Sequence, residues 1–181
     1  ALDEPGIVIV SGEAVGAPNA CACEFMHWGL WAAGQTTVPI DPQNGLTDVG
    51  AFFAGVPTPT VDMPISGSAT YVGTAYASLL TLSNPTPAFT TGAFTLSVQF
   101  DTGISAGAMA LGQENFDVIG IHSRGNSALA VQYFQAAQQV GDGNGAFYGS
   151  GVNAAKNLGV TIDINNGAGL KAGGVAIAEK Q

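Results

Sequence analysis

The strongest constraint on the fold is a strict two-residue alternation between Gly92 and Phe100. Apolar side chains there alternate with hydroxyl and amide side chains: Phe94, Leu96, Val98 and Phe100 against Thr95, Ser97 and Gln99. A period of two places successive side chains on opposite faces of a β-strand, so one face is expected in a core and the other in water. Asp101-Thr102-Gly103 then supplies a turn and Ile104–Leu111 a returning strand, which predicts a hairpin.

Further short strands are expected along the chain, separated by turns rich in glycine, asparagine and serine. The candidates are Thr70–Ala77, Phe116–Ile121, Ala128–Ala136, Gly145–Tyr148, Leu158–Ile164 and Leu170–Ala178. Spacings of about ten residues predict an all-β sandwich or barrel rather than alternating helices and strands. An antiparallel barrel is favoured because many strand positions are glycine or alanine, which fit the bends and crowded interior of a small closed sheet. The helical alternative is an amphipathic helix over Val131–Val140.

The composition predicts a surface suited to contacts between proteins. The 181 residues suit one domain, and 46% of them are hydrophobic, but only 9% are charged, against a usual value of about 25%. Water must therefore meet mainly uncharged polar and small side chains. Because no ion loses its hydration when such a surface is covered, contacts with other proteins, or with copies of the same chain, are expected.

The sign of the charge excludes two classes of partner. The net charge is −9, and the cationic side chains are scattered singly at Arg124, Lys156, Lys171 and Lys180. Neither a nucleic-acid surface nor a polybasic membrane anchor can be built from them. The longest apolar runs, such as Ile7–Val10 and Ser78–Leu82, fall far short of the roughly 20 residues that span a bilayer, so no membrane span is predicted.

The first part of the chain differs from the rest, and we divide the protein into an N-terminal extension over residues 1–64 and a barrel over residues 65–181. The extension contains an isolated strand at Ile7–Val10 and the block Cys21–Trp31. Prolines that disfavour a long regular element follow at Pro39, Pro42, Pro57, Pro59 and Pro64. Phe52–Gly55 is expected to form a short strand or one turn of helix that packs on the barrel.

Candidate partner-binding residues lie in this extension: Ile7, Val8, Ile9, Val10, Phe25, Trp28 and Trp31. A strand that sits apart from the barrel could pair with the sheet edge of a neighbouring molecule. Two interpretations of the aromatic block stay open. Trp28 and Trp31 form either an exposed patch for a partner or carbohydrate, or a plug over the barrel end.

Cys21 and Cys23 are candidates for a disulfide that fixes the turn before Trp28, with buried free thiols as the alternative. Together with His27 they could supply three ligands of a soft metal. Structural zinc sites space their cysteines by two to four residues, however, so neither a metal site nor a cofactor is predicted. Asp142-Gly143-Asn144-Gly145 resembles part of a calcium loop but lacks the later glutamate, and turn chemistry accounts for it; calcium stays an alternative partner.

No arrangement of residues predicts catalysis. His122 and Arg124 lie near Asp117 in sequence, but the chain has only two histidines and shows no Ser-His-Asp or paired-carboxylate spacing. A solvated loop is the favoured interpretation of His122 and Arg124. We therefore expect that the protein is not an enzyme.

The chain from Cys21 onward also carries a family resemblance. The order Cys-x-Cys, Trp28-Gly29-x-Trp31, Phe52–Gly55 and Gly67–Gly73 resembles the C-terminal β-barrel domain of bacterial FecR-type proteins. The stretch Gly145–Gly149, followed by Leu158-Gly159-Val160, is similar to the closing strands of transferrin-binding-protein-B-like surface barrels, although the double glycine usual there is Leu158-Gly159 here.

The resemblance implies an eight-stranded antiparallel barrel that is secreted, or sits at the cell surface or in the periplasm of a bacterium. It also implies a non-catalytic module that binds a protein or a ligand. The alternative function is a self-assembling structural subunit of an extracellular filament or matrix, linked through the N-terminal strand.

Overall fold

Eight strands close into an antiparallel barrel that occupies the C-terminal part of the chain. The computed structural model describes residues 5–11, 23–35, 46–82 and 84–181. The barrel strands are β4 (Ser68–Thr81), β5 (Asn84–Gln99), β6 (Ile104–Leu111), β7 (Glu114–Ile121), β8 (Ala128–Gln135), β9 (Gln138–Tyr148), β10 (Asn157–Asn165) and β11 (Lys171–Lys180). Each strand pairs with the next along the chain, and β11 pairs with β4 to close the ring. The predicted all-β barrel is confirmed.

Three further strands precede the barrel and form a separate sheet in the order β1-β2-β3. They are β1 (Pro5–Ser11), β2 (Met26–Gln35) and β3 (Leu46–Gly55). The prediction of an isolated strand at Ile7–Val10 is wrong, because β1 pairs antiparallel with β2 and Ile9 lies opposite Trp31. The division of the chain at residue 64 stays a prediction.

The barrel interior is packed with aromatic and aliphatic side chains from the inward face of every strand. The largest of those that are fully buried include Tyr71, Phe94, Phe100, Phe116, Tyr133 and Phe147. The two tyrosines keep their hydroxyl groups bonded, because Tyr71 donates to the Ala155 carbonyl and Tyr133 to the Thr161 carbonyl, each at 2.6 Å. Burial raises the pKa of both phenols well above the ordinary value. Both side chains therefore stay neutral donors inside the barrel.

The segment Asp142–Gly145 is part of strand β9 and not the turn expected from its composition. Asp142 and Asn144 are exposed, whereas Gly143 is buried. A Cβ atom on Gly143 would overlap the Thr161 carbonyl oxygen of the paired strand β10. The glycine is thus required by the close approach of two backbones in the barrel.

The helical alternative over Val131–Val140 is also wrong. Strand β8 ends at Gln135, β9 begins at Gln138, and these two residues lie opposite each other. Ala136 and Ala137 between them both have positive φ, at 50° and 65°. Two consecutive left-handed residues form the tight hairpin turn that matches the twist of the strands, which explains why the glutamine-rich segment does not continue as a helix.

Candidate functional site

Exposed aliphatic side chains gather at one end of the barrel, where the cap segment (residues 56–67) enters β4. We call Val56, Val61, Ile65 and Val152 the aliphatic crown. Val61 and Val152 are more than nine-tenths exposed, Val56 is 78% exposed and Ile65 is 52% exposed. Side chains of this kind on neighbouring loops mark a surface that gains free energy when a partner covers it.

The cap segment is anchored to the barrel core beneath it. Met63 is 4% exposed and packs in the core cluster. The amide of Thr58 donates to the Phe147 carbonyl at 2.8 Å, and the Thr58 hydroxyl accepts from the Ala155 amide at 3.1 Å. At its other end the segment accepts a hydrogen bond at the Gly67 carbonyl from the Phe100 amide, at 2.9 Å. The barrel end is therefore closed by residues 56–67.

Two further hydrogen bonds place the crown residues relative to one another. The Asp62 carboxylate accepts from the Gly151 amide at 3.0 Å, which brings the loops that carry Val61 and Val152 together. Arg124 donates through Nε to the Ile65 carbonyl at 3.0 Å. The crown is thus carried on loops whose backbones are fixed at several points, and little conformational entropy remains to be lost on binding.

Two more exposed aliphatic side chains lie on the barrel wall at the same end of the barrel. Ile104 and Ile121 are cross-strand neighbours, and both are more than half exposed. A shallow depression of about 360 Å³ lies beside Ile121, and its lining includes His122, Asn126, Ala128, Ala130 and Asn144. Its polar edge comes from uncharged amides, in keeping with the low charge of the chain.

His122 lies beneath the crown, and its predicted place in a solvated loop is wrong. The side chain is 5% exposed. Its ring packs against those of Phe100 and Phe147, with centroids 5.9 and 5.6 Å away, and neither ring nitrogen has a hydrogen-bond partner in the described part of the chain.

Burial lowers the pKa of His122, because the imidazolium ion would lose its hydration there. The Gly103 carbonyl acts in the opposite direction, but that oxygen already accepts the His122 backbone amide at 2.8 Å, and burial prevails. The neutral ring is therefore favoured in the folded protein.

Asp117, Arg124 and His122 do not form a catalytic group. Asp117 is exposed and lies opposite Phe134 and Ala108 in the sheet, whereas His122 is buried. Arg124 is exposed and bonded to the Ile65 carbonyl.

Trp28 packs on the side wall of the barrel, so its predicted place in a plug over the barrel end is wrong. It is 6% exposed and stacks on Tyr76, with ring centroids 4.2 Å apart. The same cluster contains the buried residues Met26, Tyr148, Val175 and Ile177, with Cys23, Phe25, Ala51, Phe53 and Ala146 at its edge. Because Trp28 is buried in this cluster, the exposed-patch interpretation does not hold for it either.

Polar contacts join the start of the three-stranded sheet to the same side of the barrel. Lys156 lies 3.3 Å from the Glu24 carboxylate and 3.7 Å from that of Glu179. The amide of Phe25 donates to the side-chain oxygen of the buried Asn157 at 3.4 Å. These contacts fix the chain just before β2 and orient Trp28 towards Tyr76.

The other candidate residues of the extension have defined strand positions. Ile7, Val8, Ile9 and Val10 lie in β1, at the edge of the sheet, and Trp31 lies in β2 between β1 and β3. Their role in partner binding stays a prediction. Cys21 lies outside the described residues, so the Cys21–Cys23 disulfide also stays a prediction.

The described ranges contain neither a cluster of metal ligands nor a helix suited to cross a membrane. In residues 5–11, 23–35, 46–82 and 84–181, no group of three or more His, Cys, Asp or Glu side chains is placed to hold a metal ion. No helix among these residues has the length and apolar character needed to cross a membrane. The calcium alternative rests on the sequence alone.

Sequence reasoning missed the aliphatic crown, although a signal for it was present. Val56 and Val61 flank the run Pro57-Thr58-Pro59-Thr60. Proline lacks the amide that a strand interior needs, so apolar residues beside such a run are poorly placed to enter a sheet core. This pattern would have predicted that Val56 and Val61 are exposed on a loop.

Comparison with known proteins identifies the fold. No family model matches the chain, and no curated protein sequence matches it. Among solved structures, intact transferrin-binding protein B with N and C lobes matches with a TM-score of 0.70 at 18% identity, over 100% of this chain and 37% of that one. The Haemophilus parasuis protein of the same name matches with a TM-score of 0.66 at 19% identity, over 97% and 35% of the two chains.

A surface lipoprotein matches with a TM-score of 0.58 at 12% identity, over 98% of this chain and 81% of that one. At these identities the likeness shows a shared fold. The chain spans little more than a third of the length of the two transferrin-binding proteins. The resemblance to FecR-type domains stays a prediction.

Proposed function

We propose that this protein is a non-catalytic, extracytoplasmic binding module of a bacterial cell surface, and that the aliphatic crown contacts a protein partner. The observation that carries the proposal is the exposure of Val61 and Val152 on loops whose backbones are held by hydrogen bonds. The names of the solved proteins with this fold, a transferrin-binding protein and a surface lipoprotein, support the extracytoplasmic setting.

The physical chemistry of the crown favours an apolar protein surface as its partner. Full burial of one aliphatic side chain contributes about 1.5–3 kcal/mol, so covering Val61 and Val152 supplies a substantial part of a binding free energy. Covering the nearby surface costs little, because few ions must be desolvated on a chain with 9% charged residues. A nucleic-acid partner is disfavoured by the charge of −9.

Negative charge placed on the aliphatic crown should weaken the binding of a protein partner. The double substitution Val61→Asp with Val152→Asp is expected to weaken partner binding at least about tenfold, because a carboxylate would have to be desolvated at the interface. Wild-type and variant proteins are used to capture proteins secreted by, or displayed on, cells from the natural habitat. The affinity of each captured candidate is then measured by calorimetry.

Leu82→Asp is the matched control, because Leu82 is 81% exposed but follows β4 at the opposite end of the barrel. It is expected to leave the affinity unchanged. Thermal unfolding should be similar for all three proteins, since each substituted side chain is exposed. A partner that binds the crown variant as tightly as the wild type contradicts the proposal.

A second candidate function, self-assembly, is favoured by the position of β1. This strand lies at the edge of the order β1-β2-β3, so among the described residues one side of its backbone pairs with no other strand. We predict that deletion of residues 1–11 converts an assembled wild-type protein into monomers, as measured by light scattering. If the truncated chain stays as oligomeric as the full chain, assembly through β1 is wrong; if the full chain is a monomer at high concentration, self-assembly itself is excluded.

A further inference from the structure

Both aromatic rings that contact His122 belong to residues that hold the cap segment. The Phe147 carbonyl accepts the Thr58 amide at the start of the segment, and the Phe100 amide donates to the Gly67 carbonyl at its end. Arg124, two residues after His122, donates a hydrogen bond to the carbonyl of Ile65, which lies between Thr58 and Gly67 in the cap segment. His122 thus lies beside the residues that make three hydrogen bonds to the cap segment, namely Phe147, Phe100 and Arg124.

The surroundings of His122 offer no counter-charge for an imidazolium ion. Its ring contacts are Phe100 and Phe147, and Tyr71 packs against Phe147 with its hydroxyl committed to the Ala155 carbonyl. Ser105 on β6 is 1% exposed, and its hydroxyl has no hydrogen-bond partner among the residues described. The charged groups nearest to His122 in sequence, Arg124 and Asp117, are exposed, and so is Asp101, which follows Phe100. A proton on the buried ring would therefore be unpaired.

We propose that His122 is a proton-sensitive latch of the aliphatic crown, in which protonation drives the ring away from Phe100 and Phe147 and releases the cap segment. The neutral ring packs against both phenylalanine rings, which also contact each other with centroids 5.8 Å apart, and so keeps Thr58 and Gly67 in place. The charged ring gains hydration by leaving. The hydrogen bonds that join the Phe100 amide and the Phe147 carbonyl to the cap segment then weaken. Loss of partner binding in acid would follow, and that consequence alone rests on the proposed function.

The sign of the effect follows from proton linkage. A histidine exposed by opening has the ordinary pKa of about 6.5, and the latched histidine has a lower one. The latch is therefore fully stable above about pH 6.5. It weakens as the pH falls below that value, by up to about tenfold in the opening equilibrium per pH unit, until the lower folded-state pKa is reached.

The test is amide hydrogen exchange of the free wild-type protein, measured by NMR at pH 7 and pH 5 and expressed as protection factors. The amides of Thr58, Met63 and Phe100 report on the cap, since each donates a hydrogen bond within it or to it. Their protection is expected to fall several-fold between the two pH values. Amides in the middle of β10 should change much less.

Two variants separate the latch from general acid effects. His122→Phe keeps an aromatic ring but cannot be protonated, so cap protection should be independent of pH. His27→Gln removes the exposed histidine of β2 and should behave like the wild type. If His122→Phe does not fold, the imidazole C–H resonance of His122 in the wild type decides the matter.

A His122 pKa at or above 6.5, or cap protection that is unchanged at pH 5, overturns the latch. Both readouts use the protein without a partner. Failure of the latch is therefore distinguishable from failure of the crown to bind one.

Discussion

Gly174→Ala is expected to destabilise the barrel by at least about 3 kcal/mol, although it adds a single methyl group. Gly174 lies in β11 opposite Ala77 of β4, at the seam that closes the barrel. A Cβ atom there would overlap the Tyr76 carbonyl oxygen and would lie 2.6 Å from the Cα atom of Ala77. Because both obstacles are backbone atoms, relief requires the two strands to move apart, with loss of ladder hydrogen bonds.

The adjacent Gly173 provides a matched control in the same strand. A Cβ atom on Gly173 meets nothing within 4 Å. Gly173→Ala is expected to stabilise the fold by about 0.5–1 kcal/mol, because alanine loses less backbone entropy than glycine on folding. Thermal unfolding of both variants measures the difference, and Gly174→Ala should lower the midpoint by about 6–12 °C. Equal midpoints for the two variants would show that β11 and β4 are not this close.

Trp28→Ala is expected to detach the three-stranded sheet from the barrel while the barrel itself stays folded. Truncation of a large buried aromatic side chain costs about 3–5 kcal/mol. Trp28 stacks on Tyr76, an outward-facing residue of β4, and lies in the cluster shared by the sheet and the barrel wall. The barrel core is a different cluster, built from inward-facing residues, so it does not depend on this contact.

Hydrogen exchange and limited proteolysis measure this separation. Amides of β2 and β3 should lose protection in Trp28→Ala, and proteases should cut within residues 23–55, whereas amides of β7 and β8 should keep their protection. His27→Ala is the control, since its side chain is exposed beside Trp28 in the same strand. Unchanged protection of β2 and β3 in the tryptophan variant would contradict the assignment of Trp28 as the main docking contact.

Gly174 and Trp28 affect the two proposed functions differently. Gly174 belongs to the closure of the barrel, on which the aliphatic crown depends, so Gly174→Ala should weaken crown binding only as the temperature approaches its lowered unfolding midpoint. Trp28 lies opposite Phe53, close to the start of the cap in the structure, but Thr58 and Met63 hold the cap to the barrel itself. Trp28→Ala should therefore impair assembly through β1 and leave crown binding intact. Trp28→Ala and the double substitution Val61→Asp with Val152→Asp therefore separate the two proposed functions.

Most barrel strands could be predicted because their signal is local. Alternation in residues 92–100 and the turn at Asp101–Gly103 depend only on neighbouring residues, and both appear as expected in β5 and β6. Closure was favoured by glycine and alanine content, and the number of strands was implied by the family resemblance. The ends of strands were less well placed; β9, for example, begins at Gln138, well before the predicted Gly145.

The incorrect predictions share a physical cause: contacts between residues that are distant in sequence. Asp142–Gly145 has turn composition, but its glycines are needed because β10 approaches too closely for a side chain. His122 has the sequence surroundings of a solvated loop, yet Phe100 and Phe147 from two other parts of the barrel bury it.

By itself, the sequence determined an all-β chain of alternating strands with a low-charge surface, since periodicity, turn residues and charge are local properties. The tertiary structure alone decided that Trp28 covers the side wall rather than the end, that residues 56–67 close the end, and that Val61 and Val152 stand exposed above a buried histidine. The positions of these residues depend on which strand faces are still exposed once the barrel has closed. Packing between residues from all parts of the chain decides which faces those are.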